Sequence, residues 1–223
     1  ISAAACVFFE WIYRKLMKLD STVYDLSAVV TGVLLAFVCP VTIPYWILII
    51  GDLFAIIIVK QLFGGIGKNF MNPALAARAF LFSWPVVMST WVKPGFENAA
   101  GILSATDAVT GATPMANMHQ GLLPEASLTD LFVGNVGGCL GETSAALLLI
   151  GFVYLLIRKV ITLRIPLSFI GTVAVLTFLF PQGGQDRVTW MAAQILSGGL
   201  MLGAIFMATD YVTSPITKLG QVV

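Results

Sequence analysis

The sequence predicts an all-α polytopic membrane protein, and three observations lead to that fold class. Of the 223 residues, 58% are apolar and 10% are charged, whereas soluble domains average about 45–50% apolar and about 25% charged residues. The mean hydropathy is +0.94. Apolar segments that approach about 20 residues, the length of a spanning helix, recur along the chain. Too little polar surface remains for a soluble enzyme, a nucleic-acid-binding protein or a disordered chain.

Seven segments are predicted to span the membrane. They are 1–17, 25–43, 44–62, 72–92, 134–157, 163–180 and 190–209. The second and third segments are separated by a tight reversal with Pro40 and Pro44 at its ends, which suits prolines because they disrupt helix interiors. An eighth element is expected after Pro215. We expect residues 1–223 to form a single membrane domain. Because the chain opens inside an apolar run without an initiator methionine, we also expect it to come from a longer protein with further terminal helices.

The basic residues favour one orientation of these spans. If the spans alternate strictly, nine of the twelve lysines and arginines fall on one side, against Lys93 and Arg187 on the other, while Arg78 lies within a span. An excess of basic residues marks the cytoplasmic side. The chain is therefore predicted to lie in the inner (cytoplasmic) membrane with its long loop, 93–133, on the outside. Loops of this length without an evident helix are usually functional or disordered, and its many small residues favour an ordered functional loop.

The outer loop contains a modification motif, Asp-Ala-Val-Thr-Gly-Ala-Thr, at 107–113. It matches the pattern at which a flavin transferase attaches flavin mononucleotide (FMN) covalently to threonine. Thr113 offers the acceptor hydroxyl, and the small residues Gly111 and Ala112 let the backbone enter the active site of the transferase. Pro114 disfavours helical geometry at Thr113. The expected product is a phosphodiester between the Thr113 hydroxyl and the ribityl chain of the flavin.

Two residues of the motif have alternative roles. Asp107 either contacts the transferase or caps a turn. Thr110, together with Thr113, is also compatible with an ordinary glycine-containing turn in which threonine hydroxyls form local hydrogen bonds.

The motif and two further blocks resemble one family of membrane proteins. The blocks are Lys-Gln-Leu-Phe-Gly-Gly-Ile-Gly-Lys-Asn at 60–69 with the Asn-Pro-Ala and Arg-Ala-Phe-Leu that follow, and Met-Ala-Thr-Asp-Tyr at 207–211 with Thr-Ser-Pro after it. The chain is similar to the D subunit of the Rnf complex, the membrane ferredoxin:NAD oxidoreductase, and to its relative, the B subunit of the sodium-pumping NADH:quinone oxidoreductase. Short loops favour the D subunit. The resemblance implies a helical bundle of two repeats similar to the urea-transporter fold.

The resemblance also implies a second, non-covalent flavin, riboflavin, near the inner face. Its candidate residues are Gly65, Asn69, Asn72, Arg78 and Asp210, in the two glycine- and proline-broken blocks. Broken helices at corresponding places in two halves indicate binding sites in transport folds. The alternative is that the glycines only allow helices to pack closely.

Ionisable residues at membrane depth are costly and usually face the protein interior or a water path. Asp52 and Glu142 fall within predicted spans and are therefore candidates for an ion path or for a network that contacts the flavin. The alternatives are a buried ion pair, such as Asp52 with Arg78, and contacts with partner subunits.

Two hypotheses of function follow. In the first, implied by the resemblance, the chain is an electron-transfer subunit with covalent FMN, and the Rnf complex couples oxidation of ferredoxin by NAD to Na⁺ or H⁺ export. In the second, the chain is a small-solute channel or transporter subunit without a cofactor. The chain has no nicotinamide-binding fingerprint and no cysteine cluster for iron–sulfur ligation. We therefore expect no catalytic residues and no metal site here, and place the NAD and ferredoxin sites on partner membrane and iron–sulfur or flavin subunits. The flavin transferase and the lipid bilayer are its other predicted partners.

Overall fold

The computed structural model describes residues 1–91, 113–215 and 217–222, and within them the regular structure is helical throughout. This confirms the predicted all-helical class. The chain forms two compact units. Unit 1 comprises Ile1–Ser89 and Asp210–Thr213, and unit 2 comprises Thr90–Thr209 and Ser214–Val223. The division into a single membrane domain with a flavin-bearing loop stays a prediction.

Unit 1, all of whose residues are described, contains five α-helices. They are α1 (Ser2–Leu16), α2 (Ser27–Phe37), α3 (Tyr45–Leu53), α4 (Pro73–Leu81) and the single turn α5 (Pro85–Met88). A 3₁₀ turn at Val23–Asp25 connects α1 to α2. Helix α4 begins at Pro73, where a proline is tolerated because the first helical N–H has no partner within the helix.

Helices α1 and α2 approach each other closely at Gly32. A Cβ atom on Gly32 would lie 2.7 Å from the Cα of Ala3, so any larger residue would push the helices apart. Cys6, Ala28 and Ile56 form a buried cluster that joins α1, α2 and the helix following α3. This packing presents one face of α1 to the interior of unit 1.

Helix α3 continues without interruption into a π-helix over Phe54–Gln61. The wider π turns are rare and often lie at functional sites. The helix ends where Gly64 and Gly65 adopt positive φ angles of 106° and 90°, a backbone region that residues with a side chain seldom occupy. The glycine-rich block therefore acts first as the stop of this helix.

The described part of unit 2 contains six α-helices. They are α6 (Pro114–His119), α7 (Leu128–Val133), α8 (Ala145–Ile157), α9 (Arg164–Leu179), α10 (Arg187–Leu196) and α11 (Leu200–Leu202), which continues as a π-helix over Gly203–Met207. Met118, Leu131, Val136, Trp190 and Ala193 form a buried core cluster in this unit.

The helices are shorter than the predicted spans. Among the described residues, no single helix is both long and apolar enough to cross a bilayer, and only the pair Arg187–Leu196 and Leu200–Met207 reaches that length, with a bend of 64°. The predicted segment 134–157 becomes helical only at Ala145, because Gly134 has a φ of 105° and turns follow it. The bend in the pair falls at Gly198, whose φ is 66°.

Candidate functional site

Thr113 lies at the N-cap of α6 in an extended conformation, with φ of −71° and ψ of 156°. Pro114 is the first helical residue, so the expected effect of this proline on the preceding backbone is observed. The Thr113 side chain makes no capping hydrogen bond, although the side-chain oxygen of an N-cap threonine usually accepts one. The side chain is partly exposed. The Thr113 hydroxyl is thus not used to cap α6.

The other motif residues, Asp107, Thr110, Gly111 and Ala112, lie outside the described residues, so their roles stay predictions. The described end of the predicted outer loop contains α6 and α7 rather than an irregular chain.

Helix α7 has an acidic residue within a compact capping arrangement. Ser127 is its N-cap, and its hydroxyl accepts a hydrogen bond from the Asp130 amide at 3.1 Å and lies 2.6 Å from the Asp130 carboxylate. The hydrogen bond donated by the Ser127 hydroxyl lowers the pKa of Asp130 below its ordinary value. Asp130 is therefore ionised at neutral pH, and its hydrogen bonds with Ser127 stabilise the first turn of α7.

The candidate residues for a second flavin all belong to unit 1, because Asp210–Thr213 groups with Ile1–Ser89. Their side chains are not equally available. The Asn72 amide oxygen caps α4 by accepting from the amides of Ala74 and Leu75, at 3.0 and 3.3 Å. Asp210 accepts from the Val212 amide at 3.2 Å. Asn69, in contrast, has a buried amide oxygen that finds no hydrogen-bond partner in the described part of the chain.

Gly65 and its neighbours contribute two further features. A Cβ atom on Gly65 would lie 3.4 Å from a guanidinium nitrogen of Arg14 and 3.9 Å from the Gln61 amide oxygen. Arg14 donates to that oxygen at 3.2 Å, and among the described residues the buried Gln61 amide nitrogen has no partner. Gln61 was not predicted from sequence as a site residue, although it lies inside the block that carries the family resemblance.

Asp52 is fully buried in α3, and its carboxylate contacts α1. Its Oδ1 atom lies 2.5 Å from the Ser2 hydroxyl and 3.3 Å from the Cys6 thiol. These two contacts replace the Asp52–Arg78 ion pair that the sequence left open. Arg78 places its guanidinium over the ring of Phe82 at 5.8 Å.

A second buried polar contact joins Glu10 to Lys60. Their charged groups are 2.7 Å apart, and both side chains are almost completely excluded from solvent. The Thr22 hydroxyl donates to Glu10, and the Lys60 ammonium also donates to Ser27 at 2.5 Å. Lys60 is one of the nine basic residues assigned to the cytoplasmic side, but it lies in the π-helix as half of a buried ion pair and not in a loop.

Together these contacts form a buried polar row between α1 and the continuous helix over 45–61. Its α1 members, spaced by four residues so that they share one helix face, are the buried residues Ser2, Cys6 and Glu10 and the half-buried Arg14. Twelve residues at about 1.5 Å each extend over about 18 Å. The i, i+4 spacing of polar residues within an apolar helix was the sequence signal for this row.

Glu142 lies in unit 2, in the turn before α8 and not inside a helix as predicted. Its Oε1 atom accepts from the Cys139 amide at 3.1 Å. The side chain is 9% exposed, so it remains a buried acidic group even though the helix begins after it.

Comparison with known proteins identifies a single family. The model of the NQR2, RnfD, RnfE family matches residues 1–223. The chain is 47% identical over 226 residues to the D subunit of the Na(+)-translocating ferredoxin:NAD(+) oxidoreductase complex of Acetobacterium woodii, covering 100% of this chain and 66% of that protein.

Two other relatives give the same grouping. The D subunit of the proton-translocating ferredoxin:NAD(+) oxidoreductase complex of Clostridium ljungdahlii is 40% identical over 235 residues, covering 98% of this chain and 67% of that protein. The B subunit of the Na(+)-translocating NADH-quinone reductase of Chromohalobacter salexigens is 37% identical over 205 residues, covering 86% and 47%. The chain thus spans about two thirds of the length of the first two relatives.

Proposed function

The chain belongs to the NQR2, RnfD, RnfE family, and from this premise we propose that it is the D-type membrane subunit of an ion-translocating ferredoxin:NAD oxidoreductase complex. In this proposal it carries covalent FMN on Thr113 and relays electrons, while the complex exports Na⁺ or H⁺. Ferredoxin and NAD bind partner subunits. The protein lies in the cytoplasmic membrane as a multi-pass protein with the flavin-bearing loop outside.

The geometry of Thr113 is the observation that carries this proposal. An acceptor for a flavin transferase needs a hydroxyl that the fold does not use and a backbone that can leave a helix. Thr113 meets both requirements, because its side chain makes no cap hydrogen bond and its backbone is extended before Pro114. When attached, FMN supplies a centre that accepts and passes on electrons.

The proposed riboflavin site uses the end of the π-helix. Within the described residues, Asn69 supplies an unused buried acceptor and Gln61 an unused buried donor, the two kinds of atom that a flavin ring system requires. Gly65 has no side chain and lies beside Gln61, whose amide oxygen would be 3.9 Å from a Cβ atom at this position. Asn72 caps the start of α4 at this site. Arg78 and Asp210 are the remaining residues of the proposed riboflavin site.

The proposed ion path passes through Asp52, with Glu142 as a second candidate. The buried row between α1 and the helix over 45–61 supports this role, since polar groups inside an apolar protein mark ion and proton pathways. Each unit also contains an α-helix that becomes a π-helix before a glycine- or proline-containing block. This recurrence supports the two-repeat architecture similar to the urea-transporter fold.

The test compares Thr113→Ala with the wild-type chain in the assembled complex. We expect the denatured wild-type chain to fluoresce as a flavin protein in a gel, and the variant band to be present at normal abundance but dark. Removing one hydroxyl eliminates the phosphoester bond, whereas the membrane helices do not depend on this side chain.

Thr129→Ala provides the matched control. Thr129 is an exposed threonine of α7, in the same predicted outer loop but outside the motif. Its replacement should leave the fluorescence unchanged. A dark wild-type band would instead support the cofactor-free channel, and a fluorescent Thr113→Ala band would place the flavin on another residue.

A further inference from the structure

The Ser2 hydroxyl faces two oxygen atoms but has one proton to donate. Its Oγ atom lies 2.8 Å from the carbonyl oxygen of Gly32 and 2.5 Å from Oδ1 of Asp52. Both distances are those of hydrogen bonds. A serine hydroxyl donates once and otherwise accepts. One of the two contacts therefore requires a proton from the opposite partner.

Only Asp52 is able to supply that proton. The Gly32 carbonyl is purely an acceptor, so Ser2 must donate to it for this contact to be a hydrogen bond. The Ser2–Asp52 contact then has a donor only if the carboxyl group of Asp52 is protonated at Oδ1. The Cys6 thiol, 3.3 Å from Oδ1, donates to a remaining lone pair of the same oxygen.

The second carboxyl oxygen of Asp52 points to the same conclusion. Oδ2 is buried and has no hydrogen-bond partner in the described part of the chain. An ionised carboxylate buried in this way would lack the compensation that buried charges require. A neutral carboxylic acid tolerates a bare carbonyl oxygen far better, because it carries no net charge.

The charged groups of the neighbouring helices are engaged elsewhere. Helix α3 packs against α1, α2, α4 and the π-helix. The ionisable side chain of α1 that contacts Asp52 is Cys6, and α2 has no ionisable residue. In the π-helix, Lys60 pairs with Glu10, and in α4 Arg78 lies over the Phe82 ring. Asp52 thus has a thiol and a hydroxyl, not a side-chain cation, as its hydrogen-bonding contacts among the described residues.

We propose that Asp52 is a proton-binding site of the ion path, held in this structure as a neutral carboxylic acid that donates to Ser2, while Ser2 donates to the Gly32 carbonyl. Loading joins one proton from water to the Asp52 carboxylate, and release returns that proton to water and leaves the carboxylate. The inference rests on the proposed ion-path function of this chain and specifies the proton as the group that Asp52 carries.

Infrared spectroscopy of the assembled complex in native membranes tests the proposal directly. We expect a carboxylic-acid C=O stretch at neutral pH that shifts on exchange into D₂O and is missing in Asp52→Asn. Ser2→Ala should move the frequency of this band, since it removes the acceptor of the carboxyl proton. Asp130→Asn, at a carboxylate outside the row, should leave the band unchanged.

Two results would overturn the proposal. One is a wild-type spectrum without a band that depends on Asp52. The other is a band that disappears when NaCl is added at constant pH, which would mean that Na⁺ occupies the carboxylate. If Asp52→Asn does not assemble, Ser2→Ala decides: an unmoved band refutes the hydrogen bond. Flavin fluorescence of the same samples tests the proposed function separately, so a dark chain with an intact Asp52 band would reject only the flavin.

Discussion

The buried polar row of unit 1 and the short helices α6 and α7 of unit 2 use polar side chains in opposite ways. In the row, Glu10, Lys60 and Asp52 are 0%, 2% and 0% exposed and are bound to other side chains. Around α6 and α7, Thr113 is partly exposed and makes no cap bond, and Asp130 contacts the N-cap of its own helix.

This difference separates two kinds of chemistry. A group that holds or moves an ion inside an apolar protein must be fixed by partners, because burying an unpaired charge is costly. A group that another enzyme modifies must be reachable and must not be needed by the fold. The contrast predicts that changes in the row damage stability and coupling, whereas changes at Thr113 remove only the cofactor.

The largest effect is expected in the thiol labelling of cysteine variants on the two sides of the membrane, where the outcome should be all-or-none. Gln120→Cys, at an exposed position directly after α6, should react with an impermeant thiol reagent added to intact cells, whereas Lys159→Cys should not. The three native cysteines are buried, so the background should be low. Both variants should react after the membrane is permeabilised, and labelling of Lys159→Cys alone in intact cells would reverse the orientation.

A large loss of stability is expected in the row. Lys60→Met leaves Glu10 as an uncompensated buried charge and should lower the free energy of unfolding by about 3–5 kcal/mol. The measurement is thermal unfolding of the purified protein in detergent. Lys68→Met, at an exposed lysine in the glycine-rich block, is the matched control and should have little effect.

A double variant distinguishes loss of charge compensation from loss of packing at the Glu10–Lys60 pair. Glu10→Gln combined with Lys60→Met removes both charges and should recover most of the lost stability, because neutral replacements of a buried ion pair are often tolerated. A double variant as unstable as Lys60→Met alone would show that loss of packing, not loss of charge compensation, caused the effect.

The smallest effect is expected at Asn72. Asn72→Ala should cost about 1 kcal/mol through loss of the α4 cap, whereas Asn72→Asp should retain the cap and the stability. Non-covalent flavin, extracted and quantified after denaturation, should persist in Asn72→Asp and decrease in Asn69→Ala. Equal flavin loss in both variants would mean that the Asn72 side chain contacts the flavin in addition to capping the helix.

The sequence was sufficient for features that depend on composition or on neighbouring residues. The helical class follows from the apolar content, the family follows from the blocks around 60–69 and 207–215, and the comparisons confirm it. The extended backbone of Thr113 follows from Pro114 alone.

Features that depend on distant residues could not be predicted. The partners Glu10 and Lys60 are 50 positions apart, and only the packing of α1 against the π-helix brings them together. For the same reason Asp52 was assigned Arg78 as an alternative partner instead of Ser2 and Cys6. The late start of α8 depends on the positive φ of Gly134 and on the turns that follow it, neither of which the apolar composition of the segment reveals.

The mass of the peptide that contains Thr113, isolated from the native complex, tests the covalent-flavin proposal most directly. We expect an added mass equal to one FMN less one water molecule, and fragmentation should locate it on Thr113. An unmodified peptide, or an added flavin located on any other residue, would contradict the assignment of Thr113 as the acceptor.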